Sequence, residues 1–234
     1  MPEHRLIELR KGFADFIPVG LVIFAYAVVF GILAVNSGLS ITESCVMSLT
    51  VFAGASQFMA LPMINEGASV LALMTMALMV NMRHLLYGLN IGRKFASAST
   101  GTLLGVSMGI VDETYAFNTI GPGKSRSTPS YFMGTALCAY FTWNIGTLIG
   151  ALAGRWTSAL NVEGLDFAVL AVFISMIGAS IRKWEDWVVI ASSGLVALAV
   201  SQVAAGYWHL FIAGLSVPMA LSWYVTRKGI VDEI

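Results

Sequence analysis

Ser56 and Gln57 lie inside a stretch with no formal charge from Ser44 to Asn65. A hydroxyl and a carboxamide at that depth find no hydrogen-bond partner in lipid. The residues around them, Phe52-Ala53-Gly54-Ala55, are mostly small, and small residues let another backbone or a substrate come close. Phe52, Gly54, Ser56 and Gln57 are therefore candidate substrate-binding residues. Their polar groups suit the ammonium or carboxylate of a small zwitterion, and a broken helix here would add free backbone ends aimed at it. The plainer alternative is that Ser56 and Gln57 hydrogen-bond a neighbouring helix and hold a bundle together.

Two further clusters could carry charge. Asn81, Arg83 and His84 interrupt an apolar run, and Asn81 and His84, three residues apart, share a helix face. Asn81 joins the candidate binding set. An arginine within an apolar segment either meets a carboxylate, from a substrate or a side chain, or snorkels to the interface. Asp112 and Glu113 are adjacent, so both cannot face one side of a helix. A carboxylate buried at this depth can exchange a proton at physiological pH. Arg83, His84, Asp112 and Glu113 are candidates for a proton or charge relay, with an Arg83–Asp112 ion pair as one form of it. The alternative for the two acids is a polar helix end.

These residues must be held by elements in a membrane. The 234 residues are 57% hydrophobic and 11% charged, against about 25% charged in ordinary soluble domains. The expected fold is an all-α polytopic membrane protein, a single transmembrane domain over 1–234. Apolar segments fall near 16–35, 43–63, 68–91, 102–119, 130–153, 166–181, 187–204 and 208–226, which gives seven to eight spans. The first begins at Pro18, tolerated in a first helical turn, and is too long for a signal-peptide core, so it reads as a retained helix. Net charge is zero, with no basic face for nucleic acid. Cys45 and Cys138 fall in apolar segments, and no zinc spacing, metal set or cofactor motif is present. No GxxxxGK[ST] phosphate loop occurs.

Lysine and arginine orient the chain. With eight full spans and a cytoplasmic N-terminus, Arg5, Arg10, Lys11, Lys124, Arg126, Arg182, Lys183, Arg227 and Lys228 fall inside. Arg93, Lys94 and Arg155 fall outside. Arg93 and Lys94 would move inside if the second and fourth segments each entered and left by one face. Such re-entrant pieces are allowed where protein or a water-filled cavity covers them. Trp156, Trp184, Trp187 and Trp223 sit beside charges, as interfacial rings do. Two glycine ladders, Gly101, Gly105, Gly109 and Gly146, Gly150, Gly154, lay smooth stripes on helix faces for close packing or a partner. Short likenesses, such as Ala25-Tyr26 with Ala139-Tyr140, suggest repeat halves over 12–120 and 130–226.

At this point a family likeness emerges. Phe52-Ala53-Gly54-Ala55-Ser56-Gln57-Phe58, then Asn81-Met82-Arg83-His84-Leu85-Leu86-Tyr87-Gly88, then Asp112-Glu113-Thr114 resemble the signature stretches of AzlC-type branched-chain amino acid permeases. The likeness spans about residues 10–225. It implies a secondary exporter of branched-chain amino acids in a bacterial inner membrane. It also implies a small hydrophobic AzlD-type partner subunit. With no nucleotide site, uphill transport would draw on an ion gradient, protons by default. Two other classes compete. A non-transporting assembly subunit would use its glycine ladders above all. An intramembrane serine hydrolase would pair Ser56 with His84 or His209.

Overall fold

The structure is a computed structural model. It describes residues 2–159 and 183–203, with scattered residues and short runs between and after them. The segments expected near 166–181 and 208–226, together with His209, lie largely outside the described residues. Every regular element described is helical. The chain divides into two compact units, Met1–Leu170 and Ala171–Ile234. In the second, the main described element is one helix, Trp184–Ser201 (α9), with Trp184 and Trp187 exposed at its start. Asp186 accepts the Lys183 N–H at 2.9 Å and closes the first turn.

The first unit is built on two long helices, α1 (Pro2–Asn36) and α8 (Pro129–Ala159). They pack side by side along their length. A Cβ at Gly12 would run into the Tyr131 carbonyl, one at Gly20 into Cys138, one at Gly150 into the Val28 carbonyl, and one at Gly154 into Ile32. The contacts advance in the same direction on both helices, so α1 and α8 run parallel. Backbones this close require glycine at the seam. The ladder Gly146, Gly150, Gly154 is thus spent on α1. In the other ladder Gly105 and Gly109 face Met133 and Ala136 of α8, while Gly101 touches nothing within 4 Å. One expectation is corrected here. Pro18 does not open a helix but sits inside α1. Its missing N–H costs one helical hydrogen bond, and α1 runs on through it because α8 packs against it on both sides of that point.

Between these helices the chain makes one helix long and apolar enough to cross a membrane and two hairpins. The crossing is α4 (Val70–Asn81) followed by α5 (Arg83–Lys94), which together form an apolar helix of 25 residues. At about 1.5 Å per residue that is enough to span a bilayer core of about 30 Å. The first hairpin is α2 (Ile41–Val51) and α3 (Gly54–Asn65), broken at Phe52 and Ala53. Phe52 takes a left-handed backbone, φ 39° and ψ 48°. Ser48 and Gln57, on opposite arms, hydrogen-bond each other at 3.2 Å, so the arms lie side by side. The second hairpin is α6 (Thr100–Ser107) and α7 (Asp112–Thr119). Its arms have eight residues each, roughly 12 Å, too short to cross alone.

Local sequence sets each start and stop. Ser40, Ser69 and Ser99 cap α2, α4 and α6 by accepting the backbone N–H three residues on. Gly38 and Gly67 take positive φ at the ends of α1 and α3. There Leu39 N–H returns to Ala34 and Ala68 N–H to Met63, the glycine-terminated helix stop.

The hairpins enter from opposite faces. Lys94, at the end of α5, donates to the Asn118 carbonyl in the last turn of α7 at 2.8 Å. Arg126, just after the second hairpin, pairs with Asp15 of α1 at 3.0 Å. The second hairpin therefore begins and ends at the face where α1 begins. The first begins after α1 has crossed and ends before α4–α5 returns, so it enters from the other face. The tally built on eight full spans changes accordingly. Arg93 and Lys94 join Arg5, Arg10, Lys11, Lys124 and Arg126 on one face. A labelling experiment checks this. In a Cys45→Ser, Cys138→Ala background, Ala96→Cys and Ser125→Cys should react with an impermeant maleimide from one side of the membrane. Ser37→Cys and Asn65→Cys should react from the other. Eight full spans would instead put residues 37 and 96 together against 65 and 125.

Candidate functional site

The two hairpin tips meet inside the first unit. A cavity of about 640 Å³ is lined by Thr50–Ala53 of one tip and by Ser107–Ile110 of the other. Asn81 and His84 border it at the α4–α5 junction, and Met133, Leu137 and Tyr140 come from α8. The lining is mostly apolar with a few polar groups, the usual composition of a small-molecule site.

Both tips are built alike. Ser56 Oγ, three residues beyond Ala53, donates back to the Ala53 carbonyl at 2.9 Å. Thr114 Oγ1, three residues beyond Val111, reaches the Val111 carbonyl at 3.0 Å and the Gly109 carbonyl at 2.7 Å. It also accepts the Val111 N–H at 3.0 Å. Neither α3 nor α7 has a side chain capping its N-terminus. The first N–H groups of α3, the positive end of its helix dipole, start at the cavity wall beside Ala53, and α7 starts two residues beyond the lining residue Ile110. The C-terminal ends of α2 and α6 bring carbonyls to the same place, and Tyr140 OH takes one of them, Leu49 O, at 3.0 Å.

The expected binding residues divide into two groups. Phe52 and Asn81 line the cavity. Ser56 and Gln57 are buried behind the first tip. Gln57 accepts the Trp143 indole N–H at 3.0 Å and donates to Ser48, which bonds Thr147 at 2.8 Å. Gly54 lies against the Trp143 ring, 3.0 Å from where its Cβ would stand. Asn81 Nδ2 reaches Ser56 at 3.3 Å, while its buried Oδ1 has no partner. Phe30 stacks on Trp143 at 5.8 Å and meets Phe58 edge-on at 5.6 Å, which closes the back of the tip. Gln57→Ala should strand the Trp143 N–H in this dry interior. Unfolding in detergent should register a loss of about 1–3 kcal/mol.

The charged candidates come together beside the cavity. Arg83 Nη2 lies 2.8 Å from Asp112 Oδ2. Tyr87 OH donates to Asp112 Oδ1 at 2.9 Å. Tyr87 in turn stacks on Tyr115 at 4.1 Å. His84 Nδ1 sits 3.1 Å from the Asn81 carbonyl and its ring meets Tyr87 edge-on. The pair joins the full crossing to the start of α7, where a carboxylate is favoured by the helix dipole. Glu113, its neighbour, is half-buried and makes no ion pair among the described residues. Ser56 has no histidine partner there. No group of three metal-ligating side chains occurs among the described residues.

Sequence reasoning missed Tyr87, Trp143, Ser48, Thr147 and Tyr140. Tyr87 was within reach, because it stands one turn after Arg83 and so shares its face. The others act across 86 to 99 residues of chain, apart from the Ser48–Gln57 bond across the hairpin turn, and no helical spacing points to them.

Comparison with known proteins places the chain among membrane proteins. An uncharacterized membrane protein of Helicobacter pylori (strain ATCC 700392 / 26695) is 29% identical over 94% of this chain and 97% of its own length. The branched-chain amino acid transport protein AzlC of Bacillus subtilis (strain 168) is 28% identical over 75% of this chain and 67% of its own. Inner membrane protein YgaZ of Escherichia coli (strain K12) is 27% identical over 78% and 77%. No solved structure matches. The family model described as AzlC protein matches residues 18–157, which hold both hairpins, the cavity and the Arg83–Asp112 pair, and the chain belongs to the AzlC family.

Proposed function

We propose that this protein is a secondary transporter that exports branched-chain or related apolar amino acids, with the tip cavity as its substrate site. The observation that carries the reading is the meeting of two broken hairpins, entered from opposite faces, around one apolar cavity. Broken helices offer a zwitterion both charges it needs. The N-termini of α3 and α7 favour a carboxylate, and the carbonyl ends of α2 and α6 favour an ammonium. The apolar side chain would lie among Val51, Phe52, Met108, Met133 and Leu137, and the free Oδ1 of Asn81 would take an ammonium proton. The Bacillus relative, a branched-chain amino acid transport protein by name, supports the substrate class.

Arg83, Asp112, Tyr87, His84 and Glu113 would couple substrate movement to protons, because they tie the hairpin that must move to a helix that need not. The cationic face gathered around Arg93, Lys94, Lys124 and α1 would be cytoplasmic in a bacterial inner membrane. A small AzlD-type subunit would complete the transporter, and the repeat halves 12–120 and 130–226 would run in the same sense, as α1 and α8 do. The test is efflux of valine, leucine and isoleucine from cells fed the matching dipeptides. Faster efflux with the partner present, abolished by an uncoupler, is the expected result. Unchanged efflux with and without the partner would remove the reading for these substrates.

A further inference from the structure

A second cavity, about 740 Å³, opens between the end of α5 and the end of α7. Its wall carries Arg93, Lys94 and Lys124, with Asn90 and Thr119 beside them and Leu86 and Leu89 leading away along α5. No carboxylate lines it. Among the described residues the carboxylate pairs of the cations are Arg83–Asp112 and Arg126–Asp15, so none of these three is neutralised by an acid. Part of the clustering has a plain cause, since Arg93 and Lys94 complement the carbonyl end of α5. That cause does not extend to Lys124, which comes from a separate 3-10 turn, Lys124–Arg126. Three like charges around one hollow repel each other unless an anion occupies it. Leu86 and Leu89 are 68% and 63% exposed, so the groove runs directly from a basic end onto a lipid-facing apolar surface. It stands at the polar end of the α4–α5 crossing, on the face that holds most of the cations of this unit.

We propose that this groove binds an anionic phospholipid, its phosphate held by Arg93, Lys94 and Lys124 and one acyl chain laid along Leu86 and Leu89. A free phosphate would use the cations but not the leucines. Basic hollows between membrane helices at the polar interface suit such headgroups. Because the groove is closed on one side by the last turn of α7, the bound lipid would brace the outer end of the second hairpin.

The full chain in detergent, titrated with phosphatidylglycerol or phosphatidylcholine and read by native mass spectrometry, tests this. Wild-type protein should retain phosphatidylglycerol about tenfold more tightly than phosphatidylcholine. The R93Q/K94Q/K124Q variant should lose that preference. R5Q/R10Q/K11Q removes as much charge from α1 at the same face, outside the groove, and should keep it. Equal loss in both variants, or no preference in wild type, would overturn the proposal. So would thermal stabilisation by inorganic phosphate equal to that by the lipid. Should the triple variant fail to fold, Lys124→Gln alone decides, since it sits exposed on a surface turn. About threefold weaker retention is expected, and unchanged retention overturns the site.

Discussion

Asp112→Asn is expected to lower amino-acid efflux about tenfold or more at equal expression, and Arg83→Gln to lower it as much. Each side chain is about one third exposed, 32% for Arg83 and 30% for Asp112, so water screens part of the pair's attraction. The larger effect comes from what is left behind. Removing one partner leaves the other charge in an apolar setting without its counterion, which costs more than the pair contributed. The double variant R83Q/D112N should therefore recover part of the lost efflux. Tyr87→Phe removes one donor to Asp112 and keeps the ion pair, so its effect should be smaller, about twofold to fivefold. Single variants that transport like wild type would take this pair out of the transport cycle.

Gly105→Trp should abolish efflux while the protein still folds. Gly105 lines the cavity, and the nearest atom to an added Cβ is the flexible end of Met133 at 3.4 Å. An indole there fills the cavity proposed to hold the substrate. Gly101→Trp is the matched control. It lies one turn earlier on the same stripe, with nothing within 4 Å, and should transport normally. The opposite pattern, with Gly101→Trp inactive and Gly105→Trp active, would point to an assembly surface on α6 and support a non-transporting subunit. Uptake of radiolabelled leucine into inverted vesicles would read both variants.

Much of this was open to inspection in the sequence, for identifiable reasons. The composition dictated a membrane protein, and the uncharged run around Ser56 and Gln57 marked a helix doing more than filling lipid. Arg93 and Lys94, on the wrong side of an eight-span count, fit the two broken hairpins the structure shows. Hydropathy could not show the hairpins directly, because averaging over a window joins two eight-residue arms into one weak span near 102–119. Which polar groups face the cavity was equally hidden. Phe52 and Asn81 turn toward it while Gln57 turns toward Trp143, and that choice depends on the left-handed turn at Phe52. A positive φ at a phenylalanine is not something its residue type announces.

The position of the second hairpin in the chain has a consequence for how the protein is made. Residues 100–119 leave the ribosome before α8 exists, yet α8 supplies Phe132 and Ala136, which pack with Val106 and Ile110, and Thr135, which accepts from Asn118 at 2.9 Å. Thr114 ties the tip backbone within the hairpin, but until then the Asn118 side chain lacks the Thr135 hydroxyl it donates to, a partner lipid cannot replace. The arms are too short to be integrated as a crossing. The hairpin can therefore take its final packing only once residues 129–159 are in place. The order of synthesis thus makes the cavity between the tips the last part of this unit to form, since Met133, Ala136, Leu137 and Tyr140 of its wall come from α8.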